Sequence, residues 1–146
     1  MRNLELREMV LVSHREKRAR RLQFHPSATV IKGPNDTGKS SVVKSIYHCF
    51  GAEPAKQHMR WASADVTTVI RFRVASVDYS IYRHGASFSL FDATDNLIGT
   101  FQSVTKELAP KLSSTFDFHL RLVDQNGESR IAPPAFLFLP FYVDQD

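Results

Sequence analysis

Apolar and polar positions along this chain change their period twice, and each change marks an element. Leu4 to Val12 mixes apolar and polar residues as a first strand does, and "RLQF" reads as a second strand turned by "HPS". "ATVIK", Ala28–Lys32, is a short β-branched run that suits a buried strand. From Ser41 to Phe50 the spacing becomes helical, with Val42, Val43, Ile46, Tyr47, Cys49 and Phe50 recurring on one side. Gly51 supplies the stop and Pro54 lies just beyond it.

From Val66 the period drops to two. "VTTVIRFRV", "VDYSIYRHG", "SFSLFDA" and "LIGTF" are four short strands separated by Ala-Ser, Gly-Ala and Asp-Asn turns, the signature of an antiparallel meander. "SVTKELAPKLSSTF" reads as a helix kinked or divided at Pro110. "HLRLV" is a further strand, "DQNGES" a polar turn, and "PPAFLFLPFYV" an apolar, partly extended end segment. The expected fold is α/β with mixed sheets: strand, loop and helix first, then an antiparallel subdomain.

Composition narrows the class. The chain has 146 residues, ordinary for one domain with its own core. Its apolar runs are too short to span a bilayer, and the N-terminus lacks the apolar core of a secretory signal. One cysteine, Cys49, excludes an internal disulfide framework and suits a reducing cytoplasm; its place in an apolar helical pattern favours a buried thiol over a reactive one. Net charge is +4, concentrated in "HREKRARR", His14–Arg21, which holds five Arg or Lys against one Glu. Such a cluster can track phosphates, or it can guard a sheet edge against unwanted pairing. The histidines show no metal-ligand spacing, and Trp61 falls in a loop where core packing is favoured over base stacking.

"GPNDTGKS" matches G-x-x-x-x-G-K-[ST], with Gly33, Gly38, Lys39 and Ser40 in the fixed positions. Gly33 and Gly38 permit backbone conformations that let N–H groups point at phosphate oxygens, and the following helix adds its N-terminal dipole. Lys39 would set a compact charge against the β- and γ-phosphates of ATP, and the Ser40 hydroxyl would ligate Mg²⁺. Pro34, Asn35, Asp36 and Thr37 complete the loop, and Ser41 either adds a contact or serves the first helical turn. A guanine-specifying N-K-x-D is absent, and "DQNG" at Asp124–Gly127 fits a polar turn better than a GTPase D-x-x-G.

These residues carry a resemblance. "FHPSATVIKGPNDTGKSSVVKSIYHCFG" resembles the N-terminal head segment of SMC-type ABC ATPases, the group that includes the RecF- and RecN-like DNA-repair proteins. Gly33, Asn35, Gly38, Lys39, Ser40, Phe50 and Gly51 fit that pattern, and Asp36 departs from its usual glycine. The resemblance implies an N-terminal lobe spanning 1–146, with strands, phosphate loop and helix in 1–55, an antiparallel sheet with helix in 66–123, and 132–146 leading to a Q-loop. A coiled coil and a second lobe with the signature motif and Walker B acids would follow; neither motif occurs here.

The closing "FLFLPFYVDQD" then has two readings, a Walker B strand ending at Asp144 or a Q-loop presenting Gln145 to Mg²⁺ and the attacking water. Pro140 and the amide after Asp144 favour Gln145. The resemblance brings Arg15 and Lys17 near the nucleotide phosphates, or else toward DNA backbone. It implies ATP and Mg²⁺ as cofactors, a second ATPase head as partner, DNA, accessory subunits and no membrane, with little turnover by this segment alone. The alternative is a stand-alone P-loop module that regulates a partner protein.

Overall fold

A computed structural model describes residues 3–35, 38–53 and 63–138. Its main feature is a six-stranded sheet of β1 (Leu4–Ser13), β2 (Arg18–Gln23), β3 (Val66–Val74), β4 (Val77–His84), β5 (Ser87–Phe91) and β6 (Leu97–Phe101), ordered β2-β1-β3-β4-β5-β6. Every neighbouring pair is antiparallel. The four strands expected after Val66 are present at the expected places. Their alternation sends Ile70, Phe72, Ile81, Phe88 and Leu90 to one buried face.

That face is covered by helix α1 (Lys39–Cys49) and by a helix that starts as a π-turn, Val104–Leu108, and continues as α2 (Ala109–Phe116). The change of helix type falls beside Pro110, which lacks the N–H that an α-turn would use. Gly51 ends α1 at φ +89, and a β-carbon there would lie 3.0 Å from Leu108 and 3.1 Å from Val104. Close helix approach and left-handed backbone thus both select glycine. Phe50 stands at the centre of the core, its ring 5.2 Å from Phe72, 6.1 Å from Phe116 and 5.2 Å from Phe138.

A small hairpin follows, β7 (Arg121–Val123) paired with β8 (Ser129–Ile131). Asp124 closes its turn by accepting from the N–H groups of Asn126 and Glu128. "DQNG" is therefore a turn, as its residue types suggested.

Three expectations are corrected. The α/β lobe with mixed sheets is overturned: the described residues form antiparallel sheets only, and the dominant architecture is a sheet with helices on one face. Ala28–Lys32 is not a strand, and Val30 is 75% exposed. A β-branched run becomes a strand only beside a partner, and a parallel partner needs a crossover of roughly a dozen residues or more. Short hairpin connections instead join β1 to β2 and link β3 through β6, while β1 and β3 pair across the segment that carries α1. Thirdly, "PPAFLF" turns into a short helix, α3 (Ala135–Phe138), because the two prolines pre-set its entry and their carbonyls accept from Phe136 and Leu137.

Arg83 is the buried charge of the core, 6% exposed. Its guanidinium donates to the carbonyls of His48 and Gly85 and to the Glu53 carboxylate, and stands 4.7 Å over the Phe88 ring. It therefore caps the carbonyl end of α1, where positive charge is favoured. The same environment acts on His48. Burial and the Arg83 charge lower its pKa to about 4, with Glu53 opposing. The unfolded chain takes up this proton near pH 6.5 and the folded chain does not, so stability falls as pH drops from about 6.5 to about 4. Nε2 stands 3.9 Å from the largely exposed Glu53 carboxylate, which offsets part of that cost, so we expect a loss of about 1–2 kcal/mol over that window. Denaturant titrations of wild type and His48→Gln across that range should show the slope only in wild type. Asp78, Asp92, Glu107 and Asp124 are held below the usual carboxylate range, first by hydrogen bonds from Arg73, Thr94, Ser103 and Glu128 respectively; their contribution is lost at still lower pH.

Candidate functional site

Gly38 leads directly into α1. Gly38 occupies the N-cap position with φ 83 and ψ 16, a left-handed conformation that glycine adopts without strain. A β-carbon at Gly38 would meet nothing within 4 Å, so it is backbone conformation and not crowding that favours glycine there. The Gly38 carbonyl accepts from the Val42 N–H and opens the helical ladder. The first turn carries no acidic residue.

Lys39 folds back over the loop. Its ammonium donates to the carbonyls of Gly33 at 2.8 Å and Pro34 at 2.5 Å. This ties the two ends of the loop together and holds the ammonium beside the α1 N-terminus. Gly33, Pro34, Asn35 and Ser40 are exposed, while Ser41 is half-buried and its carbonyl accepts from the Ser45 hydroxyl. Asp36 and Thr37 lie outside the described residues. A left-handed glycine, a first helical turn without acidic residues, an adjacent ammonium and an exposed hydroxyl favour an anionic ligand over a cationic one.

Arg15 and Lys17 are not brought to this loop. Arg15 donates to the Ser63 carbonyl at 3.3 Å, and Lys17 sits in the exposed β1–β2 turn at φ 52. Among the described residues, no hydrogen bond or ion pair joins either one to 33–35 or 38–41. Gln145, the competing Asp144, Pro140 and Trp61 all lie outside the described residues. The basic cluster spans the turn and the edge strand β2, where Arg18, Arg20 and Arg21 are exposed and Arg21 pairs with Glu8. That is the edge-guarding arrangement its composition allowed.

Cys49 is fully buried, its thiol donating to the Thr68 and Ile81 carbonyls, and burial pushes its pKa far up. It is a packing residue, not a nucleophile. No group of three His, Cys, Asp or Glu among the described residues is placed to hold a metal. No helix among them is long and apolar enough to cross a membrane.

Sequence reasoning missed Arg83. Its signal was parity: in "YSIYR" it shares a face with Tyr79 and Ile81, so it had to point inward.

No protein-family model matches the chain. It is 31% identical over 156 aligned positions to the Lamassu protein LmuB of Bacillus cereus (strain VD014). The alignment covers 100% of this chain and 25% of LmuB, so the chain spans about a quarter of the length of that relative.

Proposed function

We propose that this chain is the ATP-binding part of an SMC-like anti-phage defence ATPase of the Lamassu type, acting on DNA. The observation that carries the proposal is the Gly33–Ser41 loop, closed by Lys39 onto the Gly33 and Pro34 carbonyls at the N-terminus of α1. Similarity to Lamassu LmuB along the whole chain supports the defence assignment.

The residues divide the work by chemistry. Backbone N–H groups of Gly38 to Ser41 face the phosphates, Lys39 neutralises their charge, and Ser40 offers its hydroxyl to Mg²⁺. Gln145 would add a neutral amide that accepts from water without placing more negative charge beside the triphosphate. A second head would complete the ATPase site in the assembled protein, and hydrolysis would reset its hold on DNA.

Thermal unfolding tests the binding step. At an ATP concentration near a hundred times the dissociation constant, stabilisation is about 2.7 kcal/mol, or a Tm rise of roughly 5–10 °C. We expect that rise with Mg²⁺ present and a smaller one with EDTA or Ser40→Ala. An equal rise in all three would remove Ser40 and Mg²⁺ from the site.

A further inference from the structure

Among the described residues, the helices cover one face of the six-stranded sheet and none covers the other. Cross-strand register places Val10, Val69, Tyr82, Ser89 and Thr100 in one row of that open face. The next row holds Glu8, Arg71, Ser80 and Phe91. Tyr82 is 36% exposed and meets Phe91 edge to face at 4.9 Å, which leaves ring surface open to a ligand. Beside this pair lies a groove of about 270 Å³, bounded by Arg7, Arg71 and Arg73 on one side and by Asp92, Ala93 and Asp95 on the other.

The charges on this face are unequal in availability. Arg73 pairs with Asp78 side-on, donating from Nε and Nη2 to the two carboxylate oxygens, Arg7 lies 3.4 Å from Glu5, and Arg21 holds Glu8. The Arg71 guanidinium is exposed and makes no hydrogen bond or ion pair among the described residues. Ser80, paired with Arg71 across the strands, lines the floor of the groove and is buried. Asp92 is committed to the β5–β6 turn, where it accepts from Thr94 and Asn96. Asp95 on that wall repels a phosphate toward Arg71 and can accept from a sugar hydroxyl or a base amine.

We propose that this open face binds single-stranded nucleic acid, with a phosphate on Arg71 in the groove and an unpaired base stacked on Tyr82. An uncommitted guanidinium matches the anionic backbone, and an exposed aromatic ring on an antiparallel sheet offers a stacking platform. A duplex keeps its bases stacked on each other and can use only the guanidiniums, so the ring selects the single strand. The proposal concerns the face opposite α1 and stands whether or not ATP binds the phosphate loop.

Fluorescence anisotropy without ATP, using labelled oligothymidylate, oligouridylate and a DNA duplex of equal length, provides the test. Single strands should bind more tightly than duplex, and comparison of the thymidylate and uridylate separates DNA from RNA as the preferred strand. Tyr82→Leu, which keeps an apolar side chain but removes the ring, should weaken single-strand binding roughly ten-fold, while Tyr82→Phe retains it. Arg71→Ala should weaken binding and reduce its salt dependence by about 0.7 in the logarithmic slope. Equal affinity for duplex and single strand, no change in Tyr82→Leu, or no binding at all would overturn the proposal.

Discussion

Replacing Phe50 with alanine should cost about 3–5 kcal/mol of folding stability, the largest loss expected from any single side chain described here. The ring is fully buried and touches Phe72 from the sheet, Phe116 from α2 and Phe138 from α3. Its removal therefore opens one cavity at the junction of four elements, and a backbone held by Gly51 at φ +89 next door cannot readily collapse into it. Stability for a domain of this size is about 7–20 kcal/mol, so the variant should still fold but unfold at clearly lower denaturant. A loss below about 1 kcal/mol in equilibrium denaturation would mean that the helices are not locked to the sheet through this residue.

Lys39→Ala should act on the opposite quantity. The Lys39 ammonium holds the loop through two carbonyls in a partly exposed place, so folding stability should change by about 1 kcal/mol or less. Nucleotide affinity should fall roughly thirty- to one-hundred-and-fifty-fold, equivalent to about 2–3 kcal/mol, because a phosphate charge then loses its charged donor. Titration with a fluorescent ATP analogue reads this directly. A variant that binds ATP as well as wild type would remove Lys39 from the site, whatever its stability.

Phe50 and Lys39 lie at opposite ends of α1, and their contrast shows what was legible in the sequence. Helix spacing from Val42 to Phe50, the Gly51 stop and the two-residue period after Val66 all translate into structure, because each depends on neighbours within a few residues. The helix start was legible for the same reason: Gly38 adopts a left-handed backbone directly before α1. Ala28–Lys32 failed because strand formation needs a partner that local pattern does not specify. Its exposed Val30 shows a strand-prone segment without a neighbouring strand among the described residues. The α/β expectation failed with it, since that run was to supply the strand leading into the phosphate loop.

Partner choice by charged groups was the other illegible layer. "HREKRARR" announced positive charge but not its destinations, which are a backbone carbonyl for Arg15 and Glu8 for Arg21. Arg83 shows the converse, a cation whose inward parity was readable but whose partners at the end of α1 came from thirty or more residues away in the chain. Long-range pairing of this kind follows from the sheet register, not from spacing.

On the proposed reading, ATP occupies the loop from Gly33 to Ser41. Hydrogen–deuterium exchange of the chain with and without Mg²⁺ and ATP tests where the nucleotide sits, independently of any substitution. Slower exchange is expected only in the loop and the first turn of α1, with the open sheet face unchanged. Protection elsewhere with the loop unaffected, or no protection at ATP concentrations that raise the Tm, would contradict it.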